Sequence, residues 1–499
     1  MRTVRRDEGI VDGRVRTRKV GSGHFAGSTD ILRRLERLPL SRVHIGLLFA
    51  GGLGYTFDAM DAAVIAFILP VVTALWNLSS AETGLLGSAV LIGYLFGAFL
   101  AGTMGDLIGR KRIMLYALAI YCIATLIAAA SPTWEFLFVM RVLAGFGTGA
   151  ESAIIAPFLS EFIPSKMRGV LVGSLAGFFS FGYVGAALLG RLVVPASDNG
   201  WRVVQVLTAL PILMLLWWRR SIPESPRWLI ERGRQAEAEE VVASLEHRVQ
   251  RSIRGELPPP ESVPMPELPE RERGSFGRNL AALWTPTMAR TTSMVWILWF
   301  AVTFAYYGFF TWIPSLLVKL GFNVTQSFDY SLLIYLAQIP GYYTAAFLSE
   351  KIDRKRTITL YLIGGAISAF LLANARDGTS ITAAGVCLSF FMNGTYAGLY
   401  SYTPEVYPTA FRATGMGVAS AVGRVGGIAA PLIIGFTFNA IGFGGVFGMT
   451  TAVLAAAALA TLIVGLSTAG KTLEQIAAEE LGARRTEARR PTIARARGA

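Results

Sequence analysis

Asp106-Leu-Ile-Gly-Arg110-Lys111-Arg112 recurs as Glu350-Lys-Ile-Asp-Arg354-Lys355-Arg356, and Glu161-Phe-Ile-Pro164-Ser-Lys-Met-Arg168 recurs as Glu405-Val-Tyr-Pro408-Thr-Ala-Phe-Arg412. Both pairs are related by one shift of 244 residues (350 − 106 and 405 − 161). A register shared by two separate motifs points to a duplicated unit. Long-period duplication in a largely apolar chain marks membrane proteins assembled from structural repeats.

The composition agrees. Hydrophobic residues make up 53% of the chain and charged residues only 16%, where soluble domains carry about one quarter charged. Apolar runs long enough to cross the hydrocarbon core as helices lie near 43–73, 82–105, 112–130, 135–162, 169–193, 202–219, 290–318, 327–349, 357–374, 379–403, 411–438 and 443–466. They lack the polar–apolar alternation of barrel strands. The expected fold is an all-α membrane protein with twelve transmembrane helices in two pseudo-symmetric six-helix bundles, residues 41–220 and 286–470. A basic segment (1–40) precedes them, a linker (221–285) joins them and a basic tail (471–499) follows.

Basic residues orient the chain. Arg110/Lys111/Arg112, Lys166/Arg168, Arg219/Arg220, Arg354/Lys355/Arg356, Arg412 and the tail from Arg484 to Arg497 follow even-numbered runs, whereas 74–81 and 439–442 carry no Lys or Arg. The positive-inside rule then expects both termini in the cytoplasm, with the chain in a bacterial inner membrane. This distribution explains the net charge of +13 without nucleic acid as a partner; lipid headgroups are the expected partners of the basic flanks. The first forty residues are polar and basic, unlike a signal peptide. Within them only Ile31-Leu-Arg-Arg-Leu35-Glu-Arg-Leu38 has helical spacing, expected as an interfacial helix. In the linker, 224–252 is charged and helix-prone, and 257–273 is rich in proline.

Several chemistries are disfavoured. Cys122 and Cys387 lie inside apolar runs and His24, His44 and His247 are scattered, so neither a disulfide framework nor a metal or cofactor site is expected. No nucleophile–base constellation or phosphate-binding loop suggests an enzyme.

Charges inside apolar runs are costly and therefore informative. Asp58 and Asp61 share one helical face of the first run. Arg141 and Glu151 lie in the fourth and Arg424 in the eleventh. At ~1.5 Å per residue, Asp58, Asp61, Glu151 and Arg424 fall near the bilayer centre. The repeat does not reproduce them: Asp58 maps to Val302 and Arg424 to Ser180. Two carboxylates on one face suit proton carriage, Arg141 suits a partner that neutralises Asp61, and Arg424 suits a fixed countercharge for an anion. Structural ion pairs are the alternative. Tyr306, Tyr307, Gln338 and Asn393 are candidates to orient a ligand, although such aromatics equally serve packing. The charged turns hold Asp106, Arg110, Arg112 and Glu350, Arg354, followed by Glu161, Arg168 and Glu405, Arg412. They read as a latch between the halves, or simply as topology signals.

At the turn Gly102-x-x-x-Asp106-x-x-Gly109-Arg110-Lys111-Arg112 the chain resembles the major facilitator superfamily over nearly its whole length. Pro157-Phe-Leu-Ser-Glu161-Phe-Ile-Pro164, Pro223-Glu224-Ser-Pro226-Arg227-Trp228 and Gly470-Lys471-Thr472-Leu473-Glu474 resemble its sugar-porter and organic-ion branch. Sugar porters carry a glutamine pair in span seven, where this chain reads Ala301-Val-Thr-Phe-Ala-Tyr-Tyr307; the span-five Gly-Pro of drug antiporters is missing from 169–193. Phe57-Asp58-Ala-Met-Asp61, Gly147-x-Gly149-Ala-Glu151 and Arg424-Val-Gly-Gly427 resemble niacin-type and aromatic-acid transporters.

The resemblance implies alternating-access, proton-coupled import of a small organic anion by a monomer. Asp58, Asp61, Arg141 and Glu151 would handle protons, Arg424 with the aromatics the anion, and parting of 102–112 from 346–356 would open the inner gate. A sugar or other metabolite symporter, a drug antiporter and a non-transporting sensor remain the alternatives.

Overall fold

The computed structural model describes residues 30–467 other than 254, 261–275, 287 and 409–410. Pro264, Pro266, Pro269, the signature at 470–474 and the Arg-rich tail lie outside the described residues. The first bundle comprises α1 (Arg42–Leu75), α2 (Ser80–Ile108), α3 (Arg110–Ala128), α4 (Trp134–Ser160), α5 (Ser165–Val193) and α6 (Gly200–Ser221, with a 3-10 turn at Leu210–Leu213). The second comprises α7 (Ala289–Lys319), α8 (Val324–Leu336, resuming after Ala337 as Gln338–Lys351), α9 (Arg354–Asn374) and α10 (Gly378–Val406). It is completed by the continuous Arg412–Val464 segment of 53 residues, which turns at Gly442 (φ 63°) into α11 and α12. A straight helix of that length would reach roughly 80 Å. Glycine at a positive φ lets it fold back instead.

The turns explain where helices begin. At the end remote from the basic clusters, side chains cap four of the even-numbered helices: Ser79 with Glu82 as a capping box on α2, Thr133 on α4, Asn323 on α8 and Asp377 on α10. At the basic end, α2 passes into α3 through Gly109 (φ 109°). A β-carbon there would lie 2.5 Å from Glu224 Oε2, and Glu224 Oε1 accepts the Lys111 backbone N–H at 3.0 Å. The linker glutamate thus caps α3.

Within the first bundle, α2 and α4 meet backbone to backbone. A β-carbon on Gly93 would lie 1.9 Å from the Val142 carbonyl oxygen, one on Gly145 2.1 Å from that of Val90, and one on Gly149 2.3 Å from that of Tyr94. Small residues permit this approach in a bundle held by close packing rather than by a hydrophobic driving force. Large apolar side chains such as Phe99, Leu192 and Phe436 remain exposed on the periphery.

The halves meet through α1–α7, α2–α11 and α5–α8. The seam is shut at the end remote from the basic clusters. Gly84 packs on Pro431 and Gly435, Ser88 Oγ donates to the Ile428 carbonyl at 3.1 Å, and Arg191 pairs with Asp329. A cavity of about 20 Å³ bordered by Tyr183 and Tyr307 lies between the halves, room for about one water. Towards the basic end, a β-carbon on Gly102, Gly173 or Gly417 would meet nothing within 4 Å and Tyr343 and Tyr400 are exposed, with Tyr342 Oη donating to the Gly173 carbonyl at 3.3 Å across the seam.

Residues 30–36 form a helix, but not one lying in the membrane interface. Ile31, Leu35 and Leu38 are buried, with Ile31 packed beside Trp228, Ala238 and Val242 of the linker helices Pro226–Glu231 and Gln235–Ser252. The apolar stripe is spent on the protein, not on lipid.

Gly93→Val is expected to eliminate the monodisperse detergent-solubilised protein or sharply lower its Tm, costing more than the ~1–3 kcal/mol of ordinary overpacking because backbone is the obstacle. Gly417→Ala, facing open space, leaves elution and melting profiles unchanged.

Candidate functional site

Four ionisable side chains from two helices meet inside the first bundle. Asp58 and Asp61 stand on α1, Arg141 and Glu151 on α4, and all four are buried. Arg141 Nη1 lies 3.1 Å from Asp61 Oδ1, and Nη2 also donates to the Asp61 backbone carbonyl. Thr125 on α3 donates to the same carboxylate oxygen at 2.9 Å. A fully buried arginine held this way has its charge and one fork of its geometry answered by a single residue.

Asp58 is treated differently. Its Oδ2 accepts from Ser152 Oγ at 2.9 Å, and its neighbours in electrostatic reach are Glu151 and Asp61. Glu151 faces Gly54, where a β-carbon would lie 2.9 Å from Oε1. So α4 delivers an arginine to one aspartate and a second carboxyl to the other.

Arg424 projects from α11 into a ring of tyrosines. Its guanidinium carbon sits 4.0 Å from the centroid of Tyr94 on α2, and Nη1 lies 3.3 Å from the hydroxyl of Tyr307 on α7. Tyr396 and Tyr400 on α10 act on the same charge. Cation–π contact across the seam therefore ties the arginine to the first half. Among the described residues no carboxylate pairs with it. Nearby, Tyr306 donates to Gln338 Oε1 at 2.9 Å. Asn393 Nδ2 donates to the Gln338 carbonyl at 2.6 Å and to Ser180 Oγ of α5 at 2.8 Å, making a further polar tie across the seam. Tyr306, Tyr307, Gln338, Asn393 and Arg424 thus line one region between the bundles.

The charged turns pair within the halves. Arg110 Nη1 lies 2.6 Å from Glu161 Oε1 in the first half, and Arg354 Nε 3.0 Å from Glu405 Oε1 in the second. Arg168 donates to the Ile163 carbonyl and Arg412 to that of Tyr407, again equivalent through the repeat. These contacts lie within each half and do not bear on a latch formed across the halves in the other state of the cycle. The turns after α2 and α8 lie beside the ends of α4 and α10 in their own bundles, and their arginines find a carboxylate there. Glu350 and Arg112 are exposed; Asp106 lies in α2, its side chain outside the described set.

Sequence reasoning passed over several participants. Glu36 accepts from Arg168 and Arg227 and from the Ser165 backbone N–H that opens α5. Arg34 and Arg37 both grip Glu246. These clamps join the amino-terminal helix to the linker and to α5. Ser152, Thr125, Ser180, Tyr94, Tyr396 and Tyr400 also escaped notice, because neutral residues in apolar helices carry no signal of which neighbour they face. Glu224 was visible only as part of a motif.

Residues 45–479 match the sugar (and other) transporter family. A niacin transporter of Acinetobacter baylyi is 40% identical over 448 residues, covering 90% of this chain and 99% of that protein. A Bacillus subtilis protein named for niacin and nicotinamide transport is 36% identical over 429 residues, covering 86% and 97%. Among solved structures, the Escherichia coli xylose transporter in a partially occluded inward-open conformation superposes with a TM-score of 0.69 at 18% identity, covering 87% of this chain and all of that one. That likeness speaks for the fold.

The clamp on Glu246 has a pH signature. Burial alone raises its carboxyl, but the hydrogen bonds from Arg34 and Arg37 outweigh it and hold the group below its usual range. A lowered folded value means the stabilisation is complete above the unfolded value, ~4.3, and fades as pH falls through the folded one. Hydrogen exchange should show protection of Gln235–Ser252 decreasing below about pH 4, and Glu246→Gln should flatten that dependence.

Proposed function

The chain belongs to the sugar (and other) transporter family of the major facilitator superfamily, and from that premise we propose that it imports a small aromatic monocarboxylate together with protons. It is an integral, multi-pass membrane transporter; the anion, the coupling ion and the direction are our reading. The observation that carries it is Arg424: an intramembrane guanidinium between the bundles, ringed by Tyr94, Tyr307, Tyr396 and Tyr400 and lacking a carboxylate partner among the described residues. A charge in that position asks for an anion, and the ring faces offer an aromatic acid a stacking surface. The niacin transporter at 40% identity supports the same substrate class.

Protons enter through Asp61. While ionised it neutralises Arg141 at 3.1 Å; protonated, it releases the guanidinium and loosens the α1–α4 contact. Such a two-state pair can be biased from either side of the membrane. With the basic end assigned to the cytoplasm, the seam closed away from it and open towards it corresponds to an inward-facing state. Import then needs rocking of the two bundles about Arg424, with the Gly84–Pro431 contact parting. The Gln338–Asn393–Ser180 chain guides closure of the site, and the protein acts as a monomer among lipids.

A sugar site is less well supported. Gln338 Oε1 accepts from Tyr306 while Asn393 donates to the Gln338 backbone carbonyl, and span seven reads Ala301-Val-Thr-Phe-Ala-Tyr-Tyr307 in place of a glutamine pair.

The test is uptake of radiolabelled nicotinate and benzoate into proteoliposomes under an inward proton gradient. Gradient-dependent accumulation of either is expected; no uptake of either by folded protein overturns the reading. Asp61→Asn should abolish uphill accumulation while allowing exchange of labelled for unlabelled acid. Arg424→Lys keeps the charge but loses the planar fork, and should lower transport efficiency about tenfold or more, ~1.4 kcal/mol. An Arg424→Lys variant with unaltered efficiency would sink the anion site.

A further inference from the structure

Asp61 takes up the charge of Arg141, which leaves the other carboxyls of the first bundle without a cation. Asp58 Oδ2 has Ser152; Asp58 Oδ1 and both oxygens of Glu151 have no hydrogen-bond partner among the described residues. Glu151 is fully buried and Asp58 is 2% exposed. The groups that face them are Tyr55 and Asp61 from α1, Tyr94 from α2, Tyr121 and Cys122 from α3, Ser152 and Ile155 from α4, and Trp218 from α6. None is a cation. Of the charged groups acting on Asp58, Glu151 is the strongest, ahead of Asp61. Burying one ionised carboxylate without partners is prohibitive, and burying two side by side is worse. The pair therefore holds at least one proton in the state described.

The pair is also connected to the anion site. Ser152, which donates to Asp58, is in contact with the Tyr94 hydroxyl, and the Tyr94 ring carries Arg424. Tyr55 stands within electrostatic reach of both Asp58 and Arg424. An anion on Arg424 cancels the positive field that would draw a proton from the carboxyls. When the anion leaves, that field returns and favours their ionisation. Binding of anion and of proton are then mutually supportive, and by linkage each strengthens the other equally.

We propose that Asp58 and Glu151 form a second proton-carrying centre, distinct from the Asp61–Arg141 pair, so that each monocarboxylate anion enters with two protons and one net positive charge. This rests on the anion–proton reading given above. One proton travels on Asp61 and one on Asp58 or Glu151. Both leave as protons to water at the basic end while the acid leaves as its anion, and nothing is oxidised or reduced. Coupling through Asp61 alone would carry one proton per anion and be electrically neutral.

The distinction is measurable with the full-length protein in proteoliposomes, using whichever of nicotinate or benzoate accumulates. At equal pH on both sides, a tenfold potassium gradient with valinomycin sets an inside-negative potential. The native protein should then concentrate the acid about tenfold, since one net charge responds to roughly 60 mV by a factor of ten. Glu151→Gln and Asp58→Asn should lose this voltage-driven accumulation yet still respond to an imposed pH gradient. Voltage-driven accumulation at native level in both variants overturns the proposal, as does a native protein insensitive to potential. Proton uptake counted with a pH dye against labelled acid needs no variant: two per anion is expected, and one overturns the second centre. Asp61→Asn separates the readings, because return of the empty protein requires Asp61 to re-engage Arg141 whatever the second centre carries; uphill accumulation retained in that variant defeats the first proton site and not the second. Absence of transport of either acid defeats both.

Discussion

A guanidinium inside a bilayer must be answered by something, and the centre of this molecule is organised by how the buried Arg141 and the partly buried Arg424 are answered. Arg141 receives Asp61 and the Asp61 carbonyl, all within one bundle. Among the described residues Arg424 receives tyrosines alone, from both bundles. A permanent internal countercharge makes the first a candidate for switching by protonation. Its lack makes the second a place where a mobile anion improves on what the protein supplies. The energetic scale of intramembrane charge, at least ~2.5–3.5 kcal/mol per residue, is large enough for either event to shift a bistable bundle pair.

The surrounding architecture serves that arrangement. Gly93, Gly145 and Gly149 bring α2 and α4 into backbone contact, which fixes the depth of Tyr94 relative to Glu151 and Ser152. Gly54 leaves the space into which the Glu151 carboxyl fits. At the basic end, Glu36, Glu224 and Glu246 attach the amino-terminal and linker helices to the starts of α3 and α5. Those attachments are confined to one end and one half, so they leave the seam between bundles free to open.

The internal repeat and the central site obey different rules. Arg110–Glu161 and Arg354–Glu405, and likewise Arg168 with Ile163 and Arg412 with Tyr407, are the same bonds made twice. A duplicated turn folds locally and recreates its own contacts. The charges at the centre have no such twins: Asp58 maps to Val302 and Arg424 to Ser180.

The sequence by itself determined the helices, their number, the repeat and the short list of costly intramembrane charges. Those follow from local apolarity, helix periodicity and the desolvation cost of ions, which need no knowledge of neighbours. The Arg141–Asp61 pair and Tyr307 were legible in the sequence; only the tertiary structure decided that Glu151 belongs to Asp58, that Tyr94, Tyr396 and Tyr400 join Tyr307 around Arg424, and that the charged turns pair inside their halves. Each of these depends on how helices distant in sequence are rotated against one another. A helical pattern states which residues share a face, but the identity of the opposing face is set by the packing of the whole bundle.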